Sequence, residues 1–384
     1  VNKPTARPDP THAVLAAPAT TVCRDGRDAA AWTVADLERD TGWIRRLDDT
    51  DRADLLAGLR AGRVPGKPFL EYRREDFPFG ERVVGRLRDA VDDAQHGRGV
   101  VLVKGLPREG LAPEDFECLT WAIGLHLGVA RPQDRMSNYI NPVKDVGAVY
   151  RSPTGRGYSS KSELDFHVDG GDVVLLACYN QAPVGGDSLC SSGVAAWRVL
   201  VDERPDLARV LEQPVPHSRQ GEQPEGMAPW FLMPIFARTR DEVCCTWNRN
   251  RITNGFRFDD APACSAAQTE AMALLDEILR RPEIMFRMRL EPGDVQILSD
   301  FTTLHSRTAF EDHEDGSLKR TLYRLWLSTP NGITLPESLS PFWGATGPGV
   351  VRGGTPGQHH DATRRAFVAR QAEALGMRVA PGTH

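Results

Sequence analysis

The chain has 384 residues, 40% of them apolar, and a formal charge of −5, which is enough apolar material to bury one large core. Acids and bases alternate along it, which excludes the basic stripe of a nucleic-acid binder and the polybasic patch of a membrane-surface protein. Apolar runs such as Val173 to Cys178 fall far short of the ~18 residues of a spanning helix. The first residues also lack a basic segment leading into an apolar one, so a cytoplasmic protein is expected.

Residues 1–28 are proline-rich and without period, and predict an N-terminal arm; residues 29–384 are expected to form a single domain with a helical N-terminal part and inserted lid segments. From Trp32 to Ala61 the pattern is helical, with two short helices meeting near Thr41 and Gly42. Residues 80–96 predict an amphipathic helix whose buried face carries Val83, Val84, Leu87, Val91 and Ala94. Gly97 and Gly99 end it, and Val100 to Val103 reads as a buried strand. A second helix is expected at 113–127, with Phe116, Leu119, Ile123 and Leu127 on one face. Residues 138–162, rich in Gly, Ser, Pro and Tyr, predict a long irregular segment of the kind used as a functional loop. Tyr139, Tyr150 and Tyr158 are its candidates for a cover over substrate.

Short strands then alternate with turns from Leu164 to Ser192. Helices are expected around 194–211, 265–281 and 361–376, and strands around 242–248, 284–290, 293–299 and 318–328. This order fits an antiparallel barrel or sandwich with helical buttresses better than a parallel α/β sheet. Seven cysteines, with no zinc or CxxC spacing, read as inert thiols; Cys178, Cys190 and Cys244 fall in strand-like runs.

The chemistry concentrates in two segments. In Phe166-His167-Val168-Asp169-Gly170-Gly171, an extended backbone would put His167 and Asp169 on one face, and the glycines would allow a sharp turn or close approach. An imidazole and a carboxylate are two-thirds of the facial triad that holds iron(II). Downstream, Pro292-Gly293-Asp294 opens an apolar strand that delivers His305, the natural third ligand. Arg320 and Arg324 then share a strand face with Leu322. Burying two guanidinium groups is costly unless each meets an anion, and the planar fork of Arg suits a carboxylate.

The blocks FHVDGGDVVLLACYNQAPVGGDSLCSS, EPGDVQILSDFTTLHSRTAFED and RTLYRLWL resemble the taurine dioxygenase/TfdA-like family, akin to clavaminate synthase-like enzymes, over about residues 80–330. The resemblance implies a double-stranded β-helix (jelly roll) and an iron(II), 2-oxoglutarate and O2-dependent oxygenase that releases succinate and CO2. It implies His167, Asp169 and His305 as iron ligands, Arg320 and Ser188 as partners of the distal carboxylate of 2-oxoglutarate, and Arg324 as a grip on an acidic group of the primary substrate. Hydroxylation of a small anionic or amino-acid-like metabolite is the default expectation, with desaturation or ring closure open. Asp169 disfavours a halogenating variant. A non-catalytic jelly-roll binder and a zinc hydrolase on the same three ligands are the alternatives. Arg307, two residues past His305, could point into the site, but an ion pair with Glu311 or Asp312 is the favoured expectation; Arg249 and Arg251 are expected to be solvated loop residues rather than to line the substrate mouth, and His126 to be structural.

Overall fold

The computed structural model describes residues 28–148, 150 and 157–380; apart from Asp28, the expected arm lies outside them. The largest element is a mixed seven-stranded sheet. Its path runs Ile44–Arg46, Val100–Lys104, Val295–Ser299, Val173–Asn180, Thr321–Ser328 and Val129–Ala130, with Ile140–Val143 also paired to Thr321–Ser328. One pair, Ile44–Arg46 with Val100–Lys104, is parallel and the others are antiparallel. A smaller antiparallel sheet sets Ser188–Ser192 between Met285–Met288 and Thr303–Arg307.

The two sheets enclose an apolar layer. Val174, Leu176, Cys178, Leu298, Leu322 and Trp326 of the large sheet meet Cys190 and Met288 of the small one. This is the jelly-roll core, two sheets whose inner faces interdigitate. Outside the large sheet lie the helices Glu81–His96 and Pro113–Leu127, whose apolar faces bury as their spacing predicts. Gly99 sits at φ +86°, where a Cβ would come within 2.5 Å of the Thr302 and Thr303 hydroxyl oxygens, so the turn into the strand at Val100 requires glycine.

Several expectations are corrected. Ile44–Arg46 is a strand, followed by a longer helix, Asp49–Gly62. The helix expected at 194–211 divides into Gly193–Glu203 and Pro205–Leu211, because Pro205 has no N–H for a continuous ladder. The strand Val243–Cys245 is shorter than expected, and Asn248 caps a short helix, Arg249–Gly255. The irregular segment after Asn138 contains a strand, Ile140–Val143, whose only strand partner among the described residues is Thr321–Ser328, an edge position that tolerates Pro142.

Five thiols, Cys118, Cys178, Cys190, Cys244 and Cys245, are buried and unoxidised, whereas Cys264 is exposed; Cys23 lies outside the described residues. Burial pushes the Cys190 thiol up to about 12.

Candidate active site

His167 belongs to an extended stretch held by isolated bridges on both sides, to His305 and to Asn248. Its N–H donates to the His305 carbonyl at 3.0 Å, and the N–H of His305 donates back at 2.9 Å. These backbone bonds bring the two imidazoles to 4.3 Å between ring centres. Nδ1 of His167 lies 2.9 Å from the Asp165 carbonyl. A carbonyl only accepts, so Nδ1 carries the proton and Nε2 is left as a ligand.

The Asp169 carboxylate approaches both rings, with Oδ1 4.0 Å from His167 Nε2 and Oδ2 3.7 Å from His305 Nε2. One donor atom from each of His167, Asp169 and His305 lies within 4.8 Å of the others. This two-imidazole, one-carboxylate set suits iron(II) and leaves one side open for other ligands. Burial lowers the pKa of both histidines, that of His305 to about 3 with help from the His167 ring, which keeps them in the neutral form that binds metal. For Asp169 burial acts upward, but Arg324 and the two histidines outweigh it and hold the carboxyl at about 2.

The loop carrying Asp169 is fixed from beneath. The Asp300 carboxylate accepts from the backbone N–H of Asp169 at 3.0 Å and of Gly171 at 2.8 Å. The two glycines serve close approach: a Cβ at Gly170 would stand 2.9 Å from Phe342 and Trp326, and one at Gly171 2.9 Å from the Val173 carbonyl. One residue on, Asp172 pairs with Arg352 at 2.6 Å, both 1% exposed. Asp172 also accepts from the Thr329 N–H at 2.8 Å, and Arg352 donates to the carbonyls of Ile333 and Thr346. This pair ties the metal loop to the C-terminal segment, where the Gly354 N–H donates to the Gly170 carbonyl.

A cavity opens over the triad. Ser188, Arg320, Leu322, Arg324 and Trp326 line it, as does the cover formed by Tyr150, Gly157, Tyr158 and Leu164. Alternation along Arg320, Leu322 and Arg324 thus survives the register shift between Thr321 and Leu322. Arg320 is held by Gln181 through Nε and by the Gly186 carbonyl, while its Nη1 has no partner among the described residues. Burial lowers its pKa to about 10. The Ser188 hydroxyl donates to Gln296 Oε1 at 2.9 Å.

Arg324 lies closer to the triad than its expected role required. Its Nη1 donates to both oxygens of Asp169, at 3.0 and 3.2 Å, and its Nε donates to Gln133. The guanidinium stands 5.0 Å from the rings of Tyr158 and Trp326, and its Nη2 is buried without a protein partner.

Other expectations resolve less evenly. Arg307 forms no ion pair with Glu311 or Asp312. It is 4% exposed, lines the cavity, donates through Nη2 to the carbonyls of Ser160 and Ser162, and has no partner for Nε and Nη1 among the described residues. The period of two from His305 puts it there, since residues 305 and 307 share a strand face. Burial, and then the neighbouring Arg320, bring its pKa down to about 9. Arg251 also lines the cavity, whereas Arg249 pairs with Asp276 at 3.0 Å. Tyr139 is a core residue against Phe367, while Tyr150 and Tyr158 belong to the cover. His126 is structural, bonded to the Phe77 carbonyl at 3.0 Å. Gln133, Gln296 and Asp300 went unremarked in the sequence because nothing in their local pattern separates a supporting polar residue from a solvated one.

The model of the family "Taurine catabolism dioxygenase TauD, TfdA family" matches residues 65–326. FR-33289 synthase of Streptomyces rubellomurinus is 32% identical over 323 residues, 82% of this chain and 94% of that protein. A uridine-5'-phosphate dioxygenase of Amycolatopsis is 25% identical over 270 residues, 62% of this chain and 93% of its own length. In fold, an asparagine oxygenase solved with Fe(II), 3-hydroxyasparagine and succinate aligns with TM-score 0.55 at 17% identity, over 75% of this chain and 94% of that one. A triad able to take iron, a jelly roll that positions it, and a family match that spans both lead to one conclusion: the chain belongs to the taurine catabolism dioxygenase TauD, TfdA family and is a non-haem iron, 2-oxoglutarate-dependent dioxygenase.

Proposed function

We propose that His167, Asp169 and His305 hold iron(II), that Arg320 and Ser188 receive the distal carboxylate of 2-oxoglutarate, and that Arg324 grips an anionic group of a small metabolite. The observation that carries this reading is a single cavity in which three metal-capable donors and two strand arginines with unpartnered guanidinium nitrogens face one another. When bound, iron and 2-oxoglutarate supply the oxidising chemistry with O2, releasing succinate and CO2. The protein's own share is positional. Asp165 fixes the His167 tautomer, Asp300 fixes the Asp169 loop, and Gln181 and Gln133 aim the two guanidinium groups. Tyr150, Tyr158 and Leu164 limit water over the site.

Hydroxylation is the default outcome, with desaturation or ring closure as variants, in specialised metabolism and in the cytoplasm. The relatives' names support a small polar substrate, since they include uridine 5'-phosphate and an asparagine product. Family membership weighs against the zinc-hydrolase and non-catalytic alternatives.

Anaerobic titration with iron(II) and then 2-oxoglutarate tests the site. A weak visible charge-transfer band should grow on adding 2-oxoglutarate and fail in Arg320→Ala at the same concentration. Iron bound without any such band would sink the assignment.

A further inference from the structure

Two buried arginines of the cavity, Arg307 and Arg320, stand over the same Phe310 ring at 4.7 and 5.3 Å, and among the described residues neither has an acidic partner within 4 Å. Arg307 and Arg320 are 4% and 3% exposed, and both keep unpartnered guanidinium nitrogens: Nε and Nη1 of Arg307, Nη1 of Arg320. The acids whose charge reaches them form no ion pair with either guanidinium, although Asp312 Oδ2 is itself buried without a partner among the described residues. Asp187 is taken by Arg287 at 2.5 Å and Arg289 at 3.2 Å. Asp312 accepts from the backbone N–H of Arg320, and Asp145 from that of Gly147. A buried guanidinium with unmet donors is strongly unfavourable unless a ligand supplies the anion.

The two groups are tied to different walls. Arg320 is anchored to Gln181 and Gly186, beside Ser188, whereas Arg307 is anchored to Ser160 and Ser162 of the cover. One carboxylate is satisfied by Arg320 and Ser188. Charge balance then points past the co-substrate. Iron(II) and doubly charged 2-oxoglutarate cancel, and the histidines are neutral. Asp169 is the sole carboxylate among the described lining residues, against the buried Arg307, Arg320 and Arg324; Arg251, a fourth lining cation, is only half-buried over the Phe342 ring, where solvent screens its charge. A net of two positive charges is left over.

Resting on the function proposed above, we infer that the primary substrate is a dianion and that Arg307 is the specificity-determining residue for its second negative charge, with Arg324 taking the first. Because Arg307 also holds the cover, an anion on its free edge stiffens the same side chain that fastens Ser160 and Ser162.

The test uses protein loaded with manganese(II) and saturating 2-oxoglutarate, titrated calorimetrically with anions that differ by one charge. Sulfate and methanesulfonate compare charge on one tetrahedral group; fumarate and acetate compare two carboxylates with one. At least one dianion should bind about tenfold or more tighter than its monoanionic counterpart, and the pair that shows the preference identifies how the two charges are arranged. Arg307→Lys should retain most of the preference. Arg307→Gln keeps a donor for the Ser160 and Ser162 carbonyls but loses the charge, and should reduce the ratio to within about twofold. Its 2-oxoglutarate affinity should stay near the native value. Equal binding of dianions and monoanions by native protein overturns the proposal. So does Arg307→Gln weakening 2-oxoglutarate as much as the dianion, which would assign Arg307 to the co-substrate. A native protein that fails to bind 2-oxoglutarate at all overturns the reading of the site and this proposal together.

Discussion

Replacing Asp172 by Asn perturbs the metal loop without touching a metal-capable residue. The Asp172–Arg352 pair is fully buried, with Nε and Oδ1 2.6 Å apart and both side chains 1% exposed. Asn can still accept from Arg352 through one oxygen. Its amide, however, would present N–H groups toward the Thr329 N–H that Oδ2 now accepts at 2.8 Å. The variant would bury both an unneutralised guanidinium and a donor facing a donor. Removing one partner of such a pair costs about 3–5 kcal/mol. Arg352→Met should cost a similar amount, because Asp172 keeps its charge and loses its counter-ion. The double variant should cost less than the two singles added together, by about 2 kcal/mol, since each single's penalty is mostly the orphaned partner. Urea unfolding at constant m-value measures all three. Singles costing under about 1 kcal/mol, or strict additivity, would refute the argument that this pair holds the loop by mutual neutralisation.

Further expectations concern the site and one remote carboxyl. His167→Ala or Asp169→Ala should abolish iron retention and turnover, scored by metal analysis after desalting. Arg320→Ala should chiefly raise the 2-oxoglutarate requirement, whereas Arg324→Ala should weaken primary substrate and spare uncoupled 2-oxoglutarate decarboxylation; identical behaviour of the two would erase their division of labour. Asp300→Asn can accept only one of the two backbone N–H groups at Asp169 and Gly171, so iron affinity should fall about tenfold or more, with a loss of about 1–3 kcal/mol in stability from the amide left facing the other buried N–H. Glu117 has its pKa raised to about 7, first by burial and then by Glu114. Its contribution to stability is full below the unfolded carboxyl range and is lost as pH rises through about 7. Glu117→Gln should therefore match native protein at pH near 4 and exceed it at pH near 8, by about 1–2 kcal/mol after allowance for partial exposure. No pH-dependent difference in melting would remove the burial argument.

The parts of the fold set by local period were legible in the sequence. The helix Glu81–His96 and the strand Val295–Ser299 follow from apolar spacing and flanking glycines. Ile44–Arg46 was not legible, because a three-residue strand with two arginines exists only by pairing with Val100–Lys104. The triad was visible as residue types, yet what aligns it is non-local: the reciprocal bonds between His167 and His305 cross 138 positions of chain. Arg307 was misread for a related reason. Acids at 311 and 312 offer a plausible sequence partner that outweighs the period of two from His305, and only the fold shows that the hydrogen bonds of residue 307 go to Ser160 and Ser162.

Cys190 stands directly opposite His305 in the small sheet, so their side chains leave the same face. Thiolate is the form of cysteine that binds metals, and it favours zinc and copper(I) over iron(II) in a nitrogen and oxygen site. Burial pushes the thiol up to about 12, so at neutral pH it stays protonated. Buried in its protonated form and accepting from the Gln296 amide at 3.2 Å, the sulfur adds no thiolate beside the triad. Its protonation withholds a fourth, softer donor from the neighbourhood of the triad and denies an oxidising reaction its most reactive bystander.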